Sequence, residues 1–363
     1  MKCNIVIVGS TGKLGIKLLN FTYRNKISIY GITCFKNFKK LSNQKTKHSI
    51  KNSFILSKKN DQFKFFKFLE KKINIIYFLD FGSFSLRYLE HFLNFNNNSI
   101  VAVANKELII AGGSLLQSKI KKTNNYFIPL DSEHFSLSNL NINNKNVQKI
   151  YITASGGPFY FNKNINLSKV SYNKVLSHPK WNMGKNNLID SSNFINKILE
   201  IYELSHIFNI SLKKIDFLVS REAYVHSIVH FSDNTVSMNC FANDMIITLI
   251  KPLTYFYKIE PMKLNNNYLN FNNLKIEKPL DNRFKIFKYH KKLMNLSHPE
   301  QIKLMIINNS AHKLYLSNKL KYNRIINYIM SEITTKPSNK KFNSFNAILK
   351  YISINNHYYK TNA

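Results

Sequence analysis

The stretch NIVIVGSTGKLGIKLLNF, residues 4–21, decides the fold class. Residues 4–8 are apolar and rich in β-branched side chains, which is typical of a buried strand. Gly9, Gly12 and Gly15 follow, and the next apolar residues have helical spacing. A strand, a glycine turn and a helix open a dinucleotide-binding unit, because glycine lets the backbone approach a pyrophosphate and the helix start offers N–H groups. The alternative is a plain loop that contains three glycines.

The next predicted strand, residues 27–34, indicates which dinucleotide binds. An NAD site usually has an acidic residue at the end of this strand, where it binds the ribose hydroxyls. Here Phe35, Lys36 and Asn37 follow the strand. A cation and an amide suit a 2′-phosphate, so NADP is favoured over NAD. The alternative is that Lys36 is one more surface lysine in a lysine-rich chain.

Further apolar runs predict strands that end in polar motifs. The runs are 73–79, 100–104, 126–130 and 150–154. The second ends in ANKE (104–107), and open α/β sheets bind ligands at the carboxyl ends of their strands. The last ends in SGGPF (155–159), where glycine N–H groups and the Ser155 hydroxyl favour an oxyanion site over the alternative, a simple turn.

The third run ends in DSEH, residues 131–134. Asp131 and Glu133 are two positions apart, so on an extended chain they point to the same side. Converging carboxylates repel unless a cation or proton lies between them, and hard oxygen ligands suit Mg²⁺ or Mn²⁺. The alternative is a helix N-cap with acids near the helix dipole.

Residues 178–208, HPKWNMGKNNLIDSSNFINKILEIYELSHIF, begin as an irregular loop and then acquire helical spacing. Three residues are candidate caps for the helix start: Asp190, Ser191 and Ser192. Asn196, Lys197 and Glu200 share one face of the helix. Hydroxyls, an amide and an ammonium near a helix start predict an anion site, and the carboxylate one turn further can hold a metal or a proton. The alternative is an amphipathic surface helix with a solvated polar face.

The composition indicates a folded protein with more than one domain. The chain has 363 residues, 44% of them hydrophobic, and a formal net charge of +34. That charge usually suggests nucleic acid or an anionic surface. Only five of the basic residues are arginine and the lysines are spread evenly, so we expect no specific nucleic-acid partner. The abundance of Lys, Asn, Ile, Phe and Tyr is attributed to AT-rich codons.

The cysteines and apolar segments indicate the compartment. Cys3, Cys34 and Cys240 are odd in number and far apart, which favours a reducing environment without disulfides. No signal peptide and no bilayer-spanning apolar run is present in the sequence. We therefore expect a cytoplasmic protein without a membrane partner.

Six motifs occur in an order that is specific to one family. They are GSTGKLG (9–15), ANKE (104–107), DSEH (131–134), TASGGPF (153–159), HPKWNMG (178–184) and DSSNFINKILE (190–200). With them the chain resembles 1-deoxy-D-xylulose 5-phosphate reductoisomerases, NADPH-dependent enzymes of the methylerythritol phosphate route to isoprenoids. The resemblance is strong to about residue 235 and faint beyond it.

The resemblance implies catalytic and substrate-binding residues, and a homodimer. The metal ligands would be Asp131, Glu133 and Glu200, holding Mg²⁺, Mn²⁺ or Co²⁺. The phosphate of a sugar-phosphate substrate would be bound by Ser155, Ser191, Asn196 and Lys197. Its other oxygens would contact Lys106, Ser132, Glu133 and Glu200, with Lys106 and the three metal ligands catalytic. His178 and Trp181 would lie on a loop that closes over the substrate.

The resemblance also implies the NADPH site. The pyrophosphate would lie on the turn formed by Gly9, Ser10, Thr11, Gly12, Lys13 and Leu14. The 2′-phosphate would contact Lys36 and Asn37. The nicotinamide side would be bound by Asn105, Lys106, Glu107, Met183 and Gly184.

Some positions depart from the family pattern. Ser220 and Arg221 stand where a His-Pro pair is usual, and Ile198 replaces a usual glycine beside Lys197. Lys185 follows Met-Gly one position earlier than the usual lysine. The usual Asn-Ala-Ala-Asn-Glu run becomes NNSAH at 308–312, without its acid.

The predicted fold is α/β, with a Rossmann-like dinucleotide-binding domain at 1–150 and a central α/β catalytic and dimerisation domain at 151–262. A linker at 263–285 would lead to a small helical domain at 286–363, where Ser297 and Glu300 have capping-box spacing.

Two other functions are alternatives. One is another NADP-dependent oxidoreductase, such as a semialdehyde dehydrogenase, with Cys240 as its nucleophile. The other is a decayed, non-catalytic basic interaction protein.

Overall fold

The computed structural model describes residues 3–181, 183–260, 274–279, 281–334 and 340–361. They divide into two units, the first within Met1–Ser138 and Asp244–Leu264 and the second within Asn139–Asn243 and Asn265–Ala363. The first division therefore falls at residue 138 rather than at 150, because residues 147–154 pair with strands of the second unit. The expected helical domain is part of that second unit. Residues 263–273 and 280 of the predicted linker lie outside the described residues.

A six-stranded parallel sheet forms the centre of the first unit. Its strands are β1 (Ile5–Val8), β2 (Gly31–Cys34), β3 (Asn52–Ile55), β4 (Ile75–Phe78), β5 (Ile100–Val103) and β6 (Tyr126–Pro129). The order β3-β2-β1-β4-β5-β6 is that of a doubly wound dinucleotide-binding sheet. Every residue of β1, β4 and β5 is buried, which explains why these strands are continuous apolar runs.

Helices connect these strands, and a later segment of the chain completes the core. The helices are Lys13–Arg24, Phe38–Lys47, Lys59–Leu69, Leu86–Phe95, Lys106–Lys122, Ser132–Phe135 and, from the later segment, Ile246–Ile250. Short 3₁₀ turns lie at Ser83–Ser85 and Lys251–Tyr255. Leu249 and Leu253 are fully buried in the same apolar cluster as Ile5. The Tyr77 hydroxyl donates to the Leu249 carbonyl over 3.0 Å. Burial of these residues holds the returning segment against the sheet.

Gly9 at the end of β1 must be glycine, for two separable reasons. Its φ is +86°, and a Cβ there would lie 2.6 Å from the Asp80 backbone nitrogen. We expect Gly9→Ala to lower the free energy of unfolding by about 3 kcal/mol or more, since steric overlap adds to backbone strain. Urea denaturation measures this loss.

Gly82 is the matched control for Gly9. Its φ is +92°, yet a Cβ there would meet nothing within 4 Å. Gly82→Ala should therefore cost only the backbone strain, about 1 kcal/mol. Equal losses in the two variants would show that the contact with Asp80 contributes nothing.

The second unit is built on a mixed five-stranded sheet. Its strands are β7 (Val147–Ala154), β8 (Ile215–Ser220), β9 (Val225–Phe231), β10 (Val236–Cys240) and β11 (Ile276–Glu277), in the order β10-β9-β7-β8-β11. β7 and β8 are parallel, and the other neighbours are antiparallel.

Helices of the second unit include those at its C-terminal end. They are Tyr172–Val175, Lys185–Asn193, Ile195–Phe208, Ile286–Leu293, His298–Leu316, Ile325–Thr334 and Phe345–Thr361, with 3₁₀ turns at Leu212–Lys214 and Tyr322–Arg324. The predicted capping box is confirmed, because the Ser297 backbone N–H donates to the Glu300 carboxylate over 2.8 Å. Within the described ranges, no helix is both long and apolar enough to cross a membrane.

The predicted start of the helix that carries Glu200 is wrong. Two helices, Lys185–Asn193 and Ile195–Phe208, meet at Phe194, whose φ is +68°. The Phe194 ring is 2% exposed and packs against the rings of four aromatic residues: Tyr160, Phe217, Phe284 and Phe287. This packing holds a left-handed backbone conformation that a phenylalanine rarely adopts. The predicted caps at 190–192 therefore lie in the last turns of the first helix.

Candidate active site

The glycine turn after β1 is held by hydrogen bonds to neighbouring elements. The Ser10 backbone N–H donates to the Thr33 carbonyl over 2.9 Å. The Ser10 hydroxyl is fully buried and donates to the Gln44 side chain over 2.8 Å. The Ser10 side chain therefore stabilises the conformation of the turn and does not face solvent. Gly12 precedes the helix Lys13–Arg24 and supplies no capping side chain. First-turn N–H groups have no acceptor within a helix, so this turn suits an anion such as a pyrophosphate.

Lys36 and Asn37 lie just beyond β2 and are exposed. The Asn37 side chain caps the helix Phe38–Lys47, because its oxygen accepts from the Lys40 backbone N–H over 3.2 Å. Its amide therefore has a structural role that the sequence analysis did not anticipate. The Lys36 ammonium lies 5.8 Å from the centre of the Phe35 ring. A cation and an aromatic face thus stand together at the carboxyl edge of the sheet, where a nucleotide would bind.

Asn105 is fixed by Asp80, a residue that the sequence analysis missed. The Asn105 amide donates to the Asp80 carboxylate over 3.1 Å and to the Gly82 carbonyl over 3.0 Å, while its oxygen caps the helix Lys106–Lys122. Burial raises the pKa of Asp80 to about 6, and hydrogen bonds from Ser85 and Asn105 oppose this rise. An acid directly after the predicted strand 73–79 was the available signal.

The DSEH motif forms a cluster of charges within the first unit. The Lys106 ammonium forms an ion pair with the Asp131 carboxylate, and His134 lies 3.5 Å from the other Asp131 oxygen. Asp131 also caps the short helix Ser132–Phe135, as in the alternative interpretation. The Ser132 hydroxyl donates to the Glu133 carboxylate. The cluster therefore places two carboxylates, a hydroxyl and an ammonium at the carboxyl end of β6.

The turn after β7 is in close contact with the Ser191 backbone. Gly156 and Gly157 have φ of +82° and +58°. A Cβ at Gly157 would lie 2.8 Å from the Ser191 carbonyl oxygen, so only glycine fits. Within the second unit, this contact brings the predicted phosphate-binding residues Ser155 and Ser191 onto adjoining segments.

His178 has one defined tautomer. Its Nδ1 accepts the backbone N–H groups of Lys180 (3.1 Å) and Trp181 (2.9 Å), so the proton of the neutral ring lies on Nε2. Nε2 lies 3.1 Å from the Ser155 hydroxyl oxygen, to which it donates. Burial, together with the smaller effect of the Lys197 charge, lowers the pKa of His178 to about 4. The ring therefore remains neutral near pH 7 and leaves the Ser155 hydroxyl proton for another acceptor.

Low pH should destabilise the loop around His178, because its hydrogen bonds to the Lys180 and Trp181 backbone depend on a neutral ring. The pKa of His178 falls from its ordinary value of 6.5 to about 4 in the folded chain, so stability falls as the pH is lowered through that window. A protonated Nδ1 cannot accept the two backbone N–H groups. We expect the emission of Trp181, the only tryptophan, to change between pH 6.5 and 4.

His178→Gln is the control for this titration. The glutamine oxygen can accept a backbone N–H and does not titrate. Its emission should stay flat over the same range. An unchanged transition in this variant would assign the signal to carboxyl groups instead.

The polar face of the helix Ile195–Phe208 is buried, so the alternative of a solvated surface helix is wrong. The Lys197 ammonium lies 2.5 Å from the Glu200 carboxylate, and the two side chains are 8% and 3% exposed. The Asn196 amide donates to the other Glu200 oxygen. Charges are seldom buried in this way without a functional or structural reason. These three residues form the strongest candidate cluster within the second unit.

The remaining predicted residues have less defined contacts. Gly184 caps the start of the helix Lys185–Asn193, with Met183 beside it and partly exposed. Glu107 is buried in the first turn of its helix. Trp181 is partly exposed, as expected for a loop residue.

These features define an α/β enzyme with a Rossmann-type dinucleotide-binding unit and a second unit that carries a buried lysine–glutamate pair. The family model described as the 1-deoxy-D-xylulose 5-phosphate reductoisomerase C-terminal domain matches residues 127–208. A 1-deoxy-D-xylulose 5-phosphate reductoisomerase of Pelagibacter ubique is 35% identical over 370 residues, covering 94% of this chain and 93% of that protein. The chain belongs to the 1-deoxy-D-xylulose 5-phosphate reductoisomerase family, which confirms the resemblance.

Solved structures of the same enzyme share the fold. The Zymomonas mobilis reductoisomerase in complex with NADPH has a TM-score of 0.83 at 20% identity, covering 99% of each chain. A reductoisomerase in complex with NADPH, fosmidomycin and magnesium has a TM-score of 0.85 at 21% identity, covering 99% of this chain and 97% of that one. The predicted fold class is therefore confirmed.

Proposed function

We propose that this protein converts 1-deoxy-D-xylulose 5-phosphate to 2-C-methyl-D-erythritol 4-phosphate, with NADPH as reductant and a divalent metal ion. The observation that carries the proposal is the relationship to a curated reductoisomerase over 93% of that protein's length. The clusters around Asp131 and Glu200 support it, because each unit presents its acids beside a lysine. The product is a precursor for isoprenoids.

The metal ligands would be Asp131, Glu133 and Glu200. Their oxygens are the hard donors that Mg²⁺ and Mn²⁺ prefer, and Co²⁺ accepts them too. Glu200, with its side chain 3% exposed, is paired with the Lys197 ammonium, and a buried carboxylate held in this way can also coordinate a metal ion. A metal ion bound here would act as a Lewis acid on the substrate's carbonyl and neighbouring hydroxyl.

The second unit would bind the phosphate of the substrate. Ser155, Ser191, Asn196 and Lys197 supply hydroxyl, amide and ammonium donors from adjoining segments. The phosphate takes no part in the bond changes, so its binding energy fixes the reacting carbons. His178 and Trp181 would cover the substrate and exclude water from the aldehyde intermediate.

The first unit would bind NADPH. The turn at Gly9 to Leu14 would hold the pyrophosphate, and Lys36 with Asn37 would contact the 2′-phosphate. Asn105 and Glu107, together with Met183 and Gly184, would position the nicotinamide. NADPH supplies the hydride that reduces the aldehyde.

Lys106 would stabilise the negative charge that develops on the substrate's oxygens. Its ammonium is held by Asp131 and its side chain is 12% exposed, so it is oriented before substrate binds. Ser132, which donates to Glu133, would contact the same oxygens. The carbon–carbon bond breaks and re-forms within the substrate, and the hydride and a proton then complete the alcohol.

The proposal is tested by NADPH oxidation with 1-deoxy-D-xylulose 5-phosphate. We expect turnover with Mg²⁺ or Mn²⁺, loss of turnover with a chelator, and recovery when the metal is returned. Product identified by mass spectrometry completes the test. The proposal would be overturned if NADPH oxidation did not depend on the metal ion, or if no NADPH oxidation occurred with this substrate.

A homodimer is part of the proposal, supported by the edge strand β10. Val236 and Met238 are 57% and 46% exposed, and alternate residues of a strand share a face. Such an edge usually needs covering. Light scattering after size exclusion should give a dimer for the wild type and a monomer for Val236→Lys combined with Met238→Lys. Ile354→Lys, at a position 60% exposed on another element, is the control.

We also propose a cytoplasmic location, since all three cysteines are free thiols.

The alternative of a semialdehyde dehydrogenase with Cys240 as nucleophile is not favoured. Burial raises the pKa of Cys240, which disfavours the thiolate that a nucleophile needs.

A further inference from the structure

The proposed phosphate-binding segment, residues 190–192, forms buried hydrogen bonds with residues of the C-terminal part of the chain. The Asp190 carboxylate is buried and accepts two hydrogen bonds on one oxygen, from His312 Nε2 over 2.7 Å and from the Asn308 amide over 3.0 Å. His312 and Asn308 are 1% and 2% exposed. Both lie on the helix His298–Leu316. A buried carboxylate is costly unless it is paired, so these partners fix the place of Asp190.

A second contact holds the same segment. The Tyr322 hydroxyl donates to the Ser192 carbonyl over 2.7 Å, and both groups are buried. Ser191 lies between these two anchor points, and its carbonyl meets the Gly157 backbone of the Ser155 turn. The position of Ser191 is thus set by residues more than a hundred positions away in sequence.

We propose that His312 and Asn308 are positioning residues for substrate phosphate, acting through Asp190 on Ser191. The inference rests on the proposed function. The His312 imidazole and the Asn308 amide both supply N–H donors to one Asp190 oxygen. A carboxylate could not replace either donor, because two facing carboxylates would have to share a proton.

The test compares the KM for deoxyxylulose phosphate with the KM for NADPH. In His312→Ala we expect the first to rise on the order of 10-fold, since a displaced phosphate donor weakens remote binding, with the KM for NADPH unchanged. Inhibition by inorganic phosphate should weaken in parallel. His312→Gln, whose amide can donate to Asp190, should restore both values, and Asn308→Asp should impair them because it adds a carboxylate against Asp190.

His290→Gln is the matched control. His290 pairs with Asp216 over 3.3 Å in the same unit, but Asp216 lies on β8 and contacts no predicted phosphate residue among the described contacts. It should lose some thermal stability and keep both KM values. Equal changes in both KM values of His312→Ala, or no rescue by His312→Gln, would overturn the inference. Lack of wild-type turnover would instead remove the proposed function.

Discussion

Replacing Glu200 with glutamine should abolish metal-dependent turnover while NADPH still binds. The amide keeps the size of the side chain and its hydrogen bond with Asn196 can rearrange, but its negative charge is gone. The proposed metal site would lose one of three anionic ligands, and Lys197 would lose its buried ion-pair partner. We expect kcat/KM to fall roughly 100- to 1,000-fold, because a bound metal contributes several kcal/mol to transition-state stabilisation. Steady-state assays over a range of Mn²⁺ concentrations measure the loss.

Glu277→Gln is the control for this variant. Glu277 is exposed on β11 and lies outside the proposed site. It should leave the metal dependence untouched. NADPH binding, followed by its fluorescence, should be the same in both variants. Full activity in Glu200→Gln would contradict the assignment of Glu200 as a metal ligand.

Replacing Lys36 with alanine should weaken NADPH far more than NADH. Lys36 is exposed beyond β2, where the sheet places the ribose of a dinucleotide. A 2′-phosphate would lose a charge-assisted hydrogen bond, which corresponds to a Kd on the order of 10-fold higher. NADH has no such phosphate, so its Kd should hardly move. Titration of each cofactor against the two proteins measures the ratio.

Lys45→Ala separates this contact from general charge. Lys45 is exposed on the helix Phe38–Lys47, two turns beyond Lys36. Its removal lowers the net charge equally but should not change the preference between cofactors. Equal losses for NADPH and NADH in Lys36→Ala would remove the 2′-phosphate role.

The strands of the first unit were predictable because each is short, apolar and buried. β1, β4 and β5 lie within the predicted runs, which end at most two residues from the observed strands. The polar stretch from 39 to 51 was less informative. It contains no continuous apolar run, yet its residues 39–47 form most of the helix Phe38–Lys47. Polar, lysine-rich segments have no apolar period, so burial of Leu41 in the apolar core and hydrogen bonds between Gln44 and Ser10 stabilise that helix.

The second unit shows where local patterns fail. The predicted helix ran from the candidate caps at 190–192 to residue 208, and nothing local marks Phe194 as a break. Aromatic packing from residues as distant as Phe287 stabilises its left-handed backbone. Asp80 directly follows its predicted strand, but only the structure shows its contact with Asn105.

Sequence alone predicted the dinucleotide-binding unit and the family, both of which are confirmed, and it supplied the candidate residues for the chemistry, since these depend on local periodicity and on ordered motifs. Tertiary structure decided which of those residues are buried, which tautomer His178 adopts, and how His312 and Asn308 hold Asp190. Such properties depend on contacts between residues far apart in the chain. The free energy of a buried charge depends on the residues that surround it in space, and these cannot be identified from the order of residues in the sequence.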